Sequence, residues 1–277
     1  MHTHFRRLAR FMSITVLVVA ALVAGPLLRI VFDSTALAQD WRTASTDPIG
    51  WAPAPSAYQP AVVQVYAART VRWRGSFGDH TWIAAKAPGA STYTRYEVIG
   101  FYVRRGRSAI SMTDVTNPDR RWYGAAPLLL QDIRGPEAEQ IIAALPAAVA
   151  SYPHADSYTV WPGPNSNTFV AHIARQIPEM KLVMPGRAIG KDYLMGGRFV
   201  GSAPSGTGFQ ISLGGLFGIM LAAEEGLEVN VLGLVIGASP MHLSLTVPGF
   251  GRFPAREDWT SGRHAPAATQ VSEAPQP

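Results

Sequence analysis

Three segments after residue 60 have the patterns of strands: the first, rich in valine and aromatic residues, suits one or two strands, and in the second the side chains alternate between two faces. The segments are residues 61–74, 79–86 and 93–104. In the second, His80 and Trp82 share one face, and in the third Arg95 and Glu97 share one side, because side chains two positions apart point the same way in a strand. The alternation predicts an antiparallel sheet.

The apolar period changes to that of a helix after residue 135. Pro136 near the first helical position, followed by Glu137, predicts a helix start, and Pro146 is expected to end or kink this helix. A second helix is predicted over residues 166–177, and Pro178 stops it. Strands followed by packed helices indicate the α+β class.

Residues 209–236 return to the period of a strand and predict a long C-terminal β-hairpin that turns near Glu225 and Gly226. Glycine density and three acidic residues argue against a second membrane-spanning helix in this segment. The apolar face of the hairpin rests either on the core or on a membrane surface, and the pattern leaves both options open.

The N-terminus has the pattern of an export element. Arg6, Arg7 and Arg10 precede residues 11–28, which carry no charge and span about 27 Å as a helix. The positive flank predicts that the N-terminus stays in the cytoplasm. Residues 36–38 resemble a signal-peptidase site, so the element is either a retained membrane anchor or a cleaved signal peptide. Both alternatives place residues 39–277 outside the cytoplasm.

These patterns divide the chain into four regions. They are a signal anchor or signal peptide at residues 1–38, a Pro-rich linker at 39–60, a single α+β domain at 61–255 and a disordered tail at 256–277.

Charge and composition exclude several classes of function. The formal net charge is +5, but residues after 38 carry 20 basic and 18 acidic side chains, which is no footprint for nucleic acid. Cysteine is absent, so thiolate catalysis and cysteine-based zinc sites are excluded. The seven histidines show no metal-binding spacing, and no metal or other cofactor is expected.

The richest candidate chemistry lies between Trp161 and Phe169, where a Pro/Gly turn runs into Asn165, Ser166 and Asn167 at a helix start. All three are strong helix-capping residues, and capping is one interpretation. In the other, Ser166 is a nucleophile beside backbone N–H groups that hold an oxyanion, with His80 as its base. His80 as a purely structural strand residue is the competing interpretation.

Several motifs resemble an uncharacterised bacterial family, domain of unknown function 3750. They are residues 79–86, 95–98, 161–169, 188–193 and 225–230, and the resemblance covers about residues 60–255. Because the family is bacterial, the resemblance together with the N-terminal export element predicts a protein of the bacterial inner membrane, with its main domain on the periplasmic or extracytoplasmic side. That family implies no activity.

Residues 165–169 also resemble, more distantly, the Asn-Cys-x-x-Phe segment of circularly permuted papain-like (NlpC-type) enzymes, with serine in the cysteine position. The resemblance implies a permuted papain-like fold in which Ser166 is the nucleophile, His80 the base and Glu97 the residue that orients His80. Asn165, Asn167 and Trp161 are then candidates for oxyanion or substrate binding. A surface Glu97 paired with Arg95 or Lys86 is the alternative.

Two functions follow from these observations. The first is a membrane-anchored, exported Ser–His hydrolase or acyltransferase that acts on envelope peptide or lipid, with peptidoglycan among the substrates. The second is a non-catalytic envelope protein that binds lipid or a protein partner. In both, residues 11–28 contact the membrane.

Overall fold

Helix α1, His2–Phe32, is the longest element of the computed structural model, which describes residues 2–33, 37 and 40–254. Its segment Arg10–Phe32 contains an 18-residue window with a mean hydropathy of 2.4, and it is long and apolar enough to cross a membrane or to serve as a signal sequence. Gly25 of this helix packs so closely against the Pro248 carbonyl and the Phe250 ring that a β-carbon there would clash.

The first sheet has five antiparallel strands in the order β4-β3-β2-β1-β5. These are β1 (Val62–Arg69), β2 (Asp79–Lys86), β3 (Tyr93–Val98), β4 (Ile110–Val115) and β5 (Leu128–Arg134). A short 3-10 helix, Arg72–Ser76, joins β1 to β2 and packs against α1. The prediction of a strand over residues 79–86 is confirmed, whereas the predicted third strand ends at Val98 because a short helix follows.

That short helix is α2 (Gly100–Val103), and two longer helices, α3 (Pro136–Ala150) and α4 (Ser166–Gln176), cover one face of the sheet. α3 begins at Pro136 as predicted, but it continues beyond Pro146 to Ala150. α4 ends just before Pro178, as predicted. The α+β class is therefore confirmed.

The first sheet is buried on both faces. Val65 and Ile83 pack towards the helices with Phe169, while Tyr66 and Trp82 pack on the opposite face. Residues 47–60, predicted as a linker, lie over that opposite face. There the Asp119 carboxylate accepts hydrogen bonds from the backbone of residues 51 and 52, and the Tyr93 hydroxyl donates to the residue 53 carbonyl.

The second sheet is an antiparallel meander of seven strands. They are β6 (Val200–Ser202), β7 (Gly208–Leu213), β8 (Phe217–Ala222), β9 (Gly226–Val231), β10 (Leu234–Ser239), β11 (Ser244–Val247) and β12 (Gly251–Phe253). The single long hairpin predicted over residues 209–236 is wrong. A turn does lie just before Gly226, but each arm folds again. Gly214 and Gly215 have positive φ angles, as do Leu232 and Gly233, and such residues form tight turns between strands.

A buried charge cluster joins the second sheet to the rest of the protein. The Lys191 ammonium donates to Glu228 at 2.7 Å and to Asp192 at 2.9 Å, and Asn230 donates to the other Asp192 oxygen at 3.0 Å. Lys191 is only 2% exposed. Burial alone would lower the pKa of Lys191, but the two carboxylates outweigh burial and raise it. Lys191 is therefore charged at neutral pH.

We predict that Lys191→Met lowers the free energy of unfolding by about 3–5 kcal/mol, because it leaves two buried carboxylates without their cation. Urea unfolding of the full chain measures the change. Lys181→Met is the matched control, since Lys181 is exposed and its removal leaves no buried charge. Equal effects of the two substitutions would contradict a stabilising role for the cluster.

Candidate functional site

The predicted site at the start of α4 is a capping structure. The Asn165 side chain accepts hydrogen bonds from the backbone N–H groups of Asn167 at 3.0 Å and Thr168 at 3.2 Å. The Thr168 hydroxyl in turn accepts from the Asn165 N–H at 3.1 Å, which completes a capping box. Asn165 therefore occupies two of the backbone N–H groups at this helix start, and these two are not free for an oxyanion.

The amide groups of both candidate oxyanion donors are also engaged. Asn165 Nδ2 donates to the Val160 and Ile189 carbonyls at 3.0 and 2.9 Å. Asn167 Nδ2 donates to the carbonyls of Asp79 at 2.9 Å and Ile189 at 2.7 Å. Gly190 makes this arrangement possible, since its φ is +102° and a β-carbon would clash with the Asn165 amide. These residues tie α4 to β2 and to the segment around residue 190.

Ser166 and His80 lie on opposite faces of β2, so the structure does not bring the predicted nucleophile to its predicted base. Thr81, the residue after His80, points to the helix start and donates to Asn167 Oδ1 at 3.0 Å. Because successive side chains alternate across a strand, His80 points away from α4. Its ring stacks on Trp122 with centroids 3.7 Å apart. Ser166 is 3% exposed, His80 is 4% exposed, and Ser166 is hydrogen-bonded to Tyr158 instead.

His80 and Glu97 do lie together, in a buried cluster with two arginines. His80 Nε2 is 3.1 Å from a Glu97 carboxylate oxygen, and the other oxygen accepts from Arg95 at 2.8 Å, with Arg120 at 3.5 Å. Burial would raise the pKa of Glu97, but the hydrogen bond from His80 and the positive charges around it lower that pKa to about 2. Burial also lowers the pKa of His80. At neutral pH an ionised Glu97 thus accepts from a neutral His80.

Trp161 lies apart from that cluster, against the second sheet. It is 48% exposed, and its indole N–H donates to the Leu232 carbonyl in the turn between β9 and β10 at 2.8 Å. Within the part of the chain that the structure describes, no group of three His, Asp or Glu side chains is placed to hold a metal ion.

The second sheet has its polar side chains inside and its apolar side chains outside. We call the outward-pointing side of strands β7–β11 the outer face. Every residue on it is apolar, and most are about half exposed. Its residues are Phe209, Ile211, Leu213, Phe217, Ile219, Leu221, Leu227, Val229, Val231, Leu234, Ile236, Ala238, Leu245 and Val247. An antiparallel sheet of a water-soluble protein has the opposite arrangement. A contiguous apolar surface of this size marks an interaction site.

The alternation over residues 209–236 predicts part of the outer face, because it separates the apolar from the polar side chains of these strands. The alternation does not say which face is covered by protein. The signal that could have decided it was the inward set itself, since Gln210, Ser212, Glu228 and Asn230 suit a polar partner surface. The structure provides that surface at residues 191 and 192.

A model of the family described as protein of unknown function (DUF3750) matches residues 60–193. The predicted resemblance to this uncharacterised family is thereby confirmed over those residues, and the match ends before the second sheet begins. No curated protein and no solved structure matches the chain. The papain-like resemblance therefore has no support from these comparisons.

We predict that Glu97→Gln destabilises the protein by about 3–5 kcal/mol at pH 7, because it leaves buried arginines without their carboxylate. The pKa of Glu97 is about 2 in the folded protein, below its ordinary value of 4.5, so its charge stabilises the fold above pH 4.5. This contribution is lost as the pH falls towards 2. Urea unfolding at pH 7 and pH 3 should show the difference from wild type shrinking at the lower pH.

Glu179→Gln is the control for this titration, because Glu179 is exposed. It should change the unfolding free energy little at either pH. A Glu97→Gln effect of the same size at both pH values would mean that the carboxylate charge is not what stabilises the cluster.

Proposed function

We propose that this chain, whose residues 60–193 match the DUF3750 family model, is a membrane-anchored envelope protein that binds the lipid bilayer through its outer face. The single observation that supports this most strongly is the inverted polarity of the second sheet. Its inward side chains include Glu228 and Asn230, which form buried hydrogen bonds with Lys191 and Asp192, while fourteen outward positions offer only apolar groups. Such a surface is stable where water is absent.

The contact between α1 and the second sheet favours lipid over a protein partner as the occupant of the outer face. Gly25 and Pro26 touch the turn between β11 and β12, at residues 248–250. Gly25 precedes the end of the apolar segment at Phe32 by about 10 Å of helix. If α1 crosses a bilayer, this edge of the sheet lies within the membrane, and the outer face continues from that edge.

The short 3-10 helix that packs against α1 has the composition of a membrane interface. It exposes Arg72, Trp73 and Arg74 beside the same end of α1. Tryptophan is enriched at the boundary between hydrocarbon and headgroups, and arginine side chains reach from there to the phosphates. In the proposed arrangement the first sheet lies above the headgroups, and the outer face lies below them in contact with the hydrocarbon.

The charge pattern of α1 supports an extracytoplasmic domain. Arg6, Arg7 and Arg10 lie at the N-terminal end of the apolar segment, and cytoplasmic flanks are the ones rich in arginine. The folded domain follows the other end of the helix. We therefore assign it to the outer side of the inner membrane, where envelope lipid is the partner that the outer face suits.

The outer face orients the domain and does not recruit it. A transmembrane helix by itself holds a protein at the membrane almost irreversibly, so recruitment needs no second contact. Contact of a broad apolar sheet with lipid fixes how deeply the domain lies in the membrane and how it is rotated about the axis of α1. Non-catalytic lipid binding is thus favoured over the hydrolase function, for which Ser166 and His80 would have to meet.

We expect residues of the outer face to lie in the hydrocarbon when the full chain is reconstituted in lipid nanodiscs. The chain has no cysteine, so Ile219→Cys and Val229→Cys each provide one attachment point for an environment-sensitive dye. Phospholipids that carry a doxyl quencher on the acyl chain should quench both dyes. Because only the phospholipid acyl chains carry the quencher, the quenching reports contact with lipid.

Arg104→Cys is the control position, since Arg104 is exposed on the first-sheet side, just after α2. Its dye should be quenched far less than those at positions 219 and 229. If quenching at 219 and 229 is as weak as at 104, lipid does not cover the outer face. In that case a protein partner becomes the better explanation.

We also predict that a serine-reactive fluorophosphonate does not label Ser166, since the hydroxyl is buried and His80 points away from it. The full chain is compared with Ser166→Ala by gel fluorescence, and a serine hydrolase confirms that the reagent is active. Labelling that disappears in Ser166→Ala would instead support the hydrolase.

A further inference from the structure

A cavity of about 360 Å³ opens between the last turns of α1 and the main domain, and we call it the anchor cavity. It is lined by Leu28, Arg29, Phe32, Asp33, Arg69 and Phe250. Its volume is within the range of small-molecule sites in proteins. It is separate from the outer face, although Phe250 belongs to the same turn that touches Gly25.

The cationic wall of the anchor cavity has spare capacity for an anion. Both hydrogen bonds of the Arg69 guanidinium go to backbone carbonyls, those of Gly75 at 2.6 Å and Gly249 at 3.0 Å. Asp79, its neighbour on the adjacent strand, pairs with Arg187 at 3.1 Å. Carbonyl partners hold the guanidinium in place without neutralising its charge. Burial and the charge of Arg187 lower the pKa of Arg69 to about 10, so it is still a cation at neutral pH.

Arg29 is a second cation in the wall of the cavity, and its charge is partly neutralised by a carboxylate. It forms a salt bridge of 2.5 Å with Asp33. A guanidinium has five N–H donors, so one carboxylate does not exhaust it. Two arginines and one aspartate leave the cavity with one net positive charge, which matches the single negative charge of a phosphodiester.

The other wall of the cavity is apolar and lies beside the membrane segment. Leu28, Phe32 and Phe250 are all about half exposed or more. Arg29 and Phe32 stand in the last turn of the apolar segment Arg10–Phe32. In a helix that crosses the bilayer, this last turn lies at the level of the headgroups.

We infer that the anchor cavity binds one membrane phospholipid, with its phosphate at Arg69 and Arg29 and the start of an acyl chain along Leu28, Phe32 and Phe250. This inference rests on the proposed function in one respect, namely that α1 spans the bilayer. Guanidinium groups suit phosphate because they offer paired N–H donors with matching geometry. The binding turns a general contact with lipid into recognition of one molecule.

The test titrates the full chain, in a neutral detergent, with dihexanoylphosphatidylglycerol and follows heat by calorimetry. We expect one molecule bound per chain. Arg69→Gln should weaken the affinity about tenfold, because a hydrogen bond to a charged group is lost. Arg104→Gln removes the same charge at an exposed position on the first-sheet side, away from the cavity, and should leave the affinity within about twofold, since an exposed charge contributes little.

Two further ligands identify what is recognised. Dihexanoylglycerol, which lacks the phosphate, should bind far more weakly, and equal binding would overturn the phosphate assignment. Inorganic phosphate should compete poorly. If it competes as well as the phospholipid, the cavity is a site for a free anion, and the lipid assignment is wrong.

Arg69 also holds two backbone carbonyls, so a second variant guards against a change in folding. Phe32→Gln alters only the apolar wall, at a residue that is 81% exposed. It should weaken binding of the phospholipid without changing any weak binding of inorganic phosphate. Wild-type affinity in both Arg69→Gln and Phe32→Gln would overturn the inference.

The same preparations separate this inference from the proposed function. Quenching at position 219 is measured in nanodiscs with and without Arg69→Gln. Strong quenching together with no saturable lipid binding means that the anchor cavity inference fails while the outer face still contacts lipid. Absent quenching means that the proposed function fails, whatever the titration shows.

Discussion

The charge of Lys191 fixes which side of the second sheet faces the protein. Lys191 is buried and needs Glu228, and Glu228 lies on β9. Because the side chains of a strand alternate, pairing Glu228 inward sends Leu227 and Val229 outward. Residues paired on neighbouring strands point to the same side of the sheet as Glu228 or as its apolar neighbours. One buried ion pair therefore turns an entire apolar face away from the rest of the protein. A lone uncompensated ammonium at that position would cost more than the pair does.

The segment just before Lys191 connects this constraint to the first sheet. The Ile189 carbonyl accepts from both Asn165 and Asn167, and the Gly190 carbonyl accepts from Thr168 at 2.8 Å. One loop thus holds the start of α4 with one end and the second sheet with the other. The concentration of polar residues at the helix start is explained by this connection, and a catalytic role is not needed to account for it.

The sequence predicts several helices and strands, but it does not predict which of their faces pack against each other. Strand β2 and the starts of α3 and α4 follow from alternation, from Pro136 and from the capping residues, all of which are local. The sequence also predicts the pairing of His80 with Glu97, since the two residues lie on consecutive predicted strands. Which face of β2 contacts α4 depends on tertiary packing. In the structure it is the face opposite His80, so Ser166 and His80 do not form the predicted nucleophile–base pair. The glycine turns at 214–215 and 232–233 interrupt an alternation that otherwise reads as one continuous arm.

The inverted sheet and the N-terminal helix explain one another. In water, the outer face would promote association between chains, because an exposed apolar sheet is an aggregation hazard. A bilayer removes that hazard only if the face is held parallel to the membrane surface. Under the proposed function, the contact of Gly25 with the turn at residues 248–250 provides this alignment, because it fixes the edge of the sheet to the helix that would cross the membrane. Once one edge is fixed and the face is covered by lipid, the domain has a single orientation, and the first sheet projects away from the membrane.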